Sequence, residues 1–364
     1  MQKMAWPKVS IIWLNYNSSR IMNIVSESLE VVSDLDYPSD RYELIVVDNG
    51  SIDGSFEKIR SFLERKSNLR KKIIKLNKNL GFTGGNNVGF KARDKESKYV
   101  VLLNNDAIPF QDSLTLMVEY AEQLNVSSLN GIILKYDFPR VIDTAGAFMD
   151  ELIGSHPVGA GEQYPWIIRK PFYTTYADGA YAIYEVRAIR RCIGEKLFFD
   201  EFFGYGDDNV IGLMLWDRGY KVVAIPEIVA KHKRSSSFGS ISIEKQTPLN
   251  PYLTVRNRIA LLYLTNSRYS WSTLFYLLRR SLGVTSLKRG LNRGLMKAII
   301  DGVRLGEKLK KKYGFFIDIY KGPIAEIKVP DFLRYYIFGF KSSEKLHMLF
   351  REKITRLVKL LEIT

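Results

Sequence analysis

Four apolar runs, each ending in polar residues and followed by a helical pattern, constrain this chain more than any other feature. Val9–Leu14, Leu44–Val47, Ile73–Leu76 and Tyr99–Leu103 have the length and β-branched content of buried strands. Apolar residues recur at helical spacing over Ile21–Val32, Phe56–Leu63, Val88–Arg93 and Leu114–Leu124. Strand and helix in alternation predict an α/β fold, a mostly parallel sheet flanked by helices. Beyond the strand ends stand Asn15-Tyr16-Asn17, Asp48-Asn49, Asn77 with Asn79, and Asn104-Asn105-Asp106. Loops of an open parallel sheet converge at its carboxyl edge, where such sheets bind ligands. One polar tip is ordinary turn chemistry. Four on one edge predict a site.

From about Gly131 to Ser240 the pattern is mixed, with one strong helix over Asp208–Arg218. After Pro248 and Pro251 it changes to basic, aromatic-rich helical stretches, which sets an expected boundary near 245. Residues 1–245 would form the catalytic unit and 246–364 a helical extension. Charge follows the same division: residues 1–250 hold 31 basic and 31 acidic side chains, whereas 251–364 hold 23 and 8. The whole net charge of +15 therefore sits in the last third. A neutral body with a basic appendage argues against a nucleic-acid-binding protein, whose excess charge would accompany a recognition motif. The single Cys192 excludes an internal disulfide framework. The first residues lack a signal-peptide core, and no apolar run approaches the ~18 residues of a spanning helix. The expected location is cytoplasmic, peripheral on the inner face of the membrane.

Each motif also has a plain structural reading. Asp48 can accept a hydrogen bond from a pyrimidine ring or simply brace a tight loop, and Asp53 reads mainly as a structural cap. Asn79-Leu80-Gly81-Phe82-Thr83-Gly84-Gly85-Asn86-Asn87 opens the third crossover helix, where glycines let backbone approach a ligand. It is neither the dinucleotide fingerprint, which follows the first strand, nor a P-loop, which needs Gly-Lys-Ser/Thr. Asn104-x-Asp106 offers two oxygen ligands at a strand end, enough for a divalent cation that a diphosphate also holds. The alternative is an Asx turn before Pro109. Asp207-Asp208 opens a helix and so reads as a cap or as a general base, with a pKa lowered by the helix dipole. His232 ends a strand beside Lys233 and Arg234, a setting for a diphosphate and its cation.

In this order the pieces resemble the inverting family 2 glycosyltransferases of GT-A fold, especially their rhamnosyltransferase-like branch. The matching stretches are Val9–Asn17, Val46–Ser55, Asn79–Gly89, Leu102–Pro109, Asp178-Gly179-Ala180, Phe199–Gly219 and Pro226–His232. The resemblance implies that Asn15, Tyr16, Asp48, Asn79, Gly81, Phe82, Asn86, Asn104 and Asp106 hold the nucleotide-diphosphate sugar. It implies a Mn²⁺ or Mg²⁺ ion on Asp106, Asn104 and His232, and an acceptor held at Asp178, Gly179 and Ala180. Asp208 would be the base, with Asp207 beside it. Three departures stand out: Asp207 where the family commonly has Glu, Val210 where an acid is usual, and Asn104 as a neutral ligand. The implied reaction moves a sugar from deoxythymidine-diphosphate rhamnose or a uridine-diphosphate sugar to a hydroxyl of a glycan or lipid-linked saccharide. A nucleotidyltransferase would need a basic Gly-rich loop after the first strand, and Asn15-Tyr16-Asn17-Ser18-Ser19 does not supply one. The tail stripe Leu346, Leu349, Phe350, Ile354, Leu357, Val358 and Leu361, with basic flanks, suits an anionic membrane surface or a helical lid on the catalytic unit. The reading requires that the tip near 105 and the acids near 207 share one cleft.

Overall fold

The strands fall where the apolar runs predict: β1 Val9–Asn15, β2 Tyr42–Asp48, β3 Lys71–Lys75 and β4 Tyr99–Asn104. In this computed structural model, which describes residues 6–234, 242–244, 247–275, 289–314, 316–333 and 343–363, they pair in parallel in the order β3-β2-β1-β4. The crossover helices are α1 Met22–Val32, α2 Ser55–Glu64 and α3 Gly81–Ala92, while α4 Ser113–Leu124 follows the short strand β5 Ala107–Pro109. β1, β2 and β4 are buried on both faces, as continuous apolar runs require.

The Gly-rich segment is helix rather than loop. α3 begins at Gly81, seven residues before the predicted Val88, and its glycines serve packing. A Cβ at Gly85 would lie 2.5 Å from Leu14 Cδ1, and one at Gly89 2.5 Å from Ile12 Cγ2. Small residues on that face let α3 lie close on the sheet.

The second half continues the same sheet. β6 Ser128–Lys135 pairs in parallel with the long β12 Val222–His232, and β11 Tyr181–Glu185 runs antiparallel between β4 and β6. β7 Ile142–Thr144, β8 Ala147–Asp150, β9 Ser155–Pro157 and β10 Phe172–Tyr173 complete this half. The helices are α5 Val186–Ile193 and α6 Asp207–Asp217, the latter close to the predicted span.

The basic last third packs onto this body. α7 Leu249–Leu264 and the long helix Arg289–Tyr313 place Ile259, Leu261, Leu262, Leu264, Ile299 and Leu309 in one core with Leu102, Tyr184, Phe199 and Met214. Strand Ile324–Ala325 pairs with β8, and helix Ser343–Leu360 sets Ile354 and Val358 against Phe172 and Ala224. Leu346 and the aromatic run beyond Leu333 lie outside the residues whose side chains are described. Among the described residues no helix is long and apolar enough to cross a membrane.

Candidate active site

A cleft of about 450 Å³ opens at the carboxyl edge of the sheet. Tyr16 from the β1 loop, Asn49 from the β2 loop, and Asn79 and Phe82 at the start of α3 line one part of it. Asn104, Asn105 and Asp106 follow from the β4 tip, with His232 from the end of β12. Asp178, Gly179, Ala180, Asp207 and Asp208 line it too. The two acidic clusters, about a hundred residues apart in the chain, thus share one cavity.

Four residues implied as nucleotide ligands stand behind that surface. Asp48 is fully buried: one carboxylate oxygen accepts from Asn15 Nδ2 at 2.8 Å and the other from the Ser51 N–H at 3.0 Å. Asn15 also donates to Ser51 and Ser55 and accepts from Asn105 Nδ2 at 3.1 Å. Together Asp48 and Asn15 tie the β1, β2 and β4 tips into one rigid edge. Asn86 donates to the Phe82 carbonyl, and the Gly81 carbonyl accepts from Asn49. Gly81 has φ +75°, and a Cβ there would meet the Phe203 carbonyl at 2.2 Å, so its role is the turn into α3. Asp53 stands one residue before Gly54, the N-cap of α2, and is structural: burial raises its pKa, but hydrogen bonds from Ser55 and Ser19 outweigh burial and hold it near 2.

His232 lies between two carboxylates. Its Nε2 is 3.1 Å from Asp106 Oδ1 and its Nδ1 is 3.1 Å from Asp143 Oδ2. Burial works against its charge, yet the two hydrogen bonds prevail and lift it to about 9. The donor set fits a divalent cation. Two ligands about 2.1 Å from one ion at right angles stand about 3 Å apart, close to the Asp106–His232 spacing. A cation would take the place of the proton shared by those two atoms, while Asp143 fixes the outer ring nitrogen. Protein supplies few ligands: among the described residues there is no cluster of three or more His, Cys, Asp or Glu side chains able to hold a metal. Diphosphate oxygens would complete the shell. The neighbouring cations are engaged elsewhere, Arg234 on Asp143 and Asp178 and Lys233 on Asp137.

The twin acids depart from expectation in charge. Asp208 sits at the start of α6, where the dipole alone would lower its pKa. Instead burial, then the charges of Asp207 and Asp178, raise it well above the usual carboxylate range. Asp207 is raised as well, by burial and then Asp178. Asp208 Oδ2 accepts from the Gly179 N–H at 3.1 Å, and its Oδ1 is shielded from solvent with no hydrogen-bond partner. The implied acceptor set is therefore also what holds Asp208. Asp178 accepts from the Ala180 N–H and holds Arg234, and Gly179 leaves room for Asp208.

Residues the motifs did not single out complete the site. Asn257, buried on α7, donates Nδ2 to the carbonyls of Phe202, Gly204 and Tyr205 at 2.6–3.1 Å. Arg256 donates to the Glu201 and Phe202 carbonyls. They clamp the loop that enters α6, in which Phe203, Tyr205 and Gly206 all take positive φ. A polar Arg256-Asn257-Arg258 triplet inside an apolar helix was the available signal.

A helix-flanked, mostly parallel sheet with an acid-bearing strand tip and twin acids on one cleft at its carboxyl edge defines a GT-A-type glycosyltransferase fold. Residues 10–176 match the family model described as glycosyl transferase family 2, a match over somewhat less than half of the chain. A relative from Methanococcus voltae is 24% identical over 234 residues, 63% of this chain and 68% of its own. It is named dolichyl N-acetyl-alpha-D-glucosaminyl phosphate 3-beta-D-2,3-diacetamido-2,3-dideoxy-beta-D-glucuronosyltransferase. In fold the chain is similar to GalNAc-T7, solved with UDP, GalNAc and Mn²⁺ (TM-score 0.61, 12% identity, 93% of this chain and 57% of that one). It is also similar to S. aureus TarS (TM-score 0.51, 17% identity), covering 82% of this chain but only about half, 49%, of TarS.

Proposed function

We propose that this chain is an inverting, metal-dependent glycosyltransferase that moves a sugar from a nucleotide-diphosphate sugar to a hydroxyl of a lipid-linked saccharide or glycan. The observation that carries this reading is the shared cleft, with Asp106 and His232 on the sheet edge and Asp207-Asp208 on α6. The catalytic unit is residues 1–245, with 246–364 as a helical extension packed on it.

Tyr16, Asn49, Asn79 and Phe82 receive the nucleotide, on an edge stiffened from behind by Asn15 and Asp48. Asp106 and His232, with Asn104 beside them, hold a Mn²⁺ or Mg²⁺ ion with the diphosphate. When bound, that ion neutralises charge developing on the leaving group. The Asp208 carboxylate accepts the proton of the acceptor hydroxyl as the hydroxyl oxygen attacks the anomeric carbon from the face opposite the diphosphate. One displacement breaks the anomeric C–O bond as the new one forms and inverts the configuration. The raised pKa makes the ionised Asp208 carboxylate a stronger base.

The donor is a deoxythymidine-diphosphate or uridine-diphosphate sugar, in keeping with the rhamnosyltransferase-like pattern of motifs. The Methanococcus voltae relative, named for a dolichyl-phosphate-linked sugar, supports a lipid-linked acceptor. A cytoplasmic position on the inner membrane face, reached through the basic last third, follows from such an acceptor. A panel of nucleotide sugars, followed by hydrolysis and transfer with Mn²⁺, identifies the donor. With that donor, Asp208→Asn is expected to lower transfer by about 10²–10⁴-fold while nucleotide binding persists. Near-normal transfer by the variant would refute the assignment.

A further inference from the structure

Among the described residues three basic side chains line the cleft, and two of them are committed. His232 lies between Asp106 and Asp143, and Arg234 is paired with Asp143 and Asp178. The third, Arg258 on α7, donates Nε to the Leu152 carbonyl at 2.8 Å. Its two terminal nitrogens make no hydrogen bond or ion pair among the described residues. Asp150 feels its charge, but that carboxylate is already taken by His156 and by the N–H groups of Leu152 and Gly154.

The position of Arg258 tells which substrate it meets. Its chain neighbour Asn257 clamps the loop leading into Asp207, and Leu261, one turn on, lies against Gly206. Arg258 and Thr254 line the cleft from this wall together with Gly154 and Ser155. That wall belongs to α7, α6 and the β8–β9 turn, whereas Tyr16, Asn49, Asn79 and Phe82 come from the loops after β1, β2 and β3 and the start of α3. A group reaching Arg258 therefore approaches from the side of the base, which is the acceptor's side.

We propose that Arg258 is an oxyanion site for the acceptor, binding a phosphate carried by the sugar whose hydroxyl faces Asp208. This deepens the glycosyltransferase reading and rests on it. A planar guanidinium on the cleft wall, held by one N–H and with its terminal N–H groups unpaired among the described residues, matches the two-oxygen fork of a phosphate. A neutral glycan acceptor would offer those terminal N–H groups no charged counterpart.

The test uses the full chain with Mn²⁺ and inorganic pyrophosphate at saturation, so that the diphosphate position is filled. Binding of N-acetylglucosamine 1-phosphate, its decyl phosphodiester, methyl N-acetylglucosaminide and inorganic phosphate is measured by calorimetry. The sugar phosphate and its diester are expected to bind at least about tenfold tighter than the methyl glycoside, as a charged hydrogen-bonded pair implies. Arg258→Gln should erase that difference, Arg258→Lys should keep part of it, and pyrophosphate affinity and Tm should hold in both. A preference for the diester assigns a lipid-linked acceptor, and a preference for the free sugar phosphate a soluble one; both support the site. The proposal is overturned if Arg258→Gln weakens charged and neutral sugars alike or changes neither. It is overturned too if pyrophosphate binding falls instead, or if inorganic phosphate binds as tightly as the sugar phosphate. Wild-type protein that binds no pyrophosphate with Mn²⁺ would count against the transferase reading, and the sugar arms, repeated without pyrophosphate, would still test Arg258.

Discussion

Gly179 and Asp208 fit together only because Gly179 has no side chain. Its N–H donates to Asp208 Oδ2 at 3.1 Å, and a Cβ added there would stand 2.6 Å from Asp208 Oδ1. Gly179→Ala must therefore displace the carboxylate or the backbone that holds it. A misplacement of about 1 Å costs on the order of a hundredfold in turnover. The variant should lose about that much in kcat with little change in KM for the donor. A rise in donor KM at unchanged kcat would mean that Gly179 serves the nucleotide instead.

Stability and activity should depend on pH in opposite directions. Burial and the Asp178 charge lift Asp207 from the usual carboxylate range to about 7 in the fold. Between about 4 and 7 it is protonated when folded and ionised when unfolded, so stability falls as pH rises through that window and stays low above it. Transfer needs Asp208 ionised, and burial with the charges of Asp207 and Asp178 raises its pKa well above the usual carboxylate range, so turnover should rise with pH. Asp207→Asn is accordingly expected to raise Tm at pH 8 clearly more than at pH 5, where only the first part of that loss has occurred. Equal gains at both values would contradict a raised folded-state pKa.

The parts of this architecture that were legible in the sequence are those written in local pattern. Four apolar runs placed β1 to β4 to within two residues at each end, and the polar tips marked the edge where the cleft lies. What was hidden depends on contacts between distant segments. Asp143, 89 residues before His232, carries no motif, yet it orients the ring. The Asn79–Gly89 stretch has two uses that glycine alone does not tell apart: Asn79 and Phe82 line the cleft, while Gly85 and Gly89 lie close against Leu14 and Ile12. The dipole argument for Asp208 failed because local sequence does not record burial or the approach of Asp178.

Asn257 supplies a test of how the last third serves catalysis. Its two amide protons are shared among three carbonyls of a loop with positive φ at Phe203 and Tyr205. Asn257→Leu keeps the volume and removes the donors, leaving buried carbonyls unpaired at about 1–3 kcal/mol. Urea denaturation should register that loss. The kcat should fall more than stability alone accounts for, because the loop sets Asp207 and Asp208. Full activity in a variant destabilised by that amount would reduce Asn257 to a structural role.

A membrane role for the last third calls for point substitutions rather than deletion. Removing it would strip Ile259, Leu262, Ile299 and Leu309 from a core shared with Leu102 and Tyr184, and would take away Asn257. Trp271 and Phe275 offer a cleaner probe, since they are 78% and 63% exposed and bury little in the fold. Each aromatic ring transferred to a lipid interface contributes about 1.5–3 kcal/mol, on top of attraction between the basic excess and anionic headgroups. Trp271→Ser with Phe275→Ser should leave Tm within a few degrees and reduce cosedimentation with phosphatidylglycerol vesicles by more than about tenfold. Electrostatic attraction should make the remaining binding fall with salt. Undiminished sedimentation of the double variant would remove these aromatics from any membrane contact and leave the last third as a packed extension of the catalytic unit.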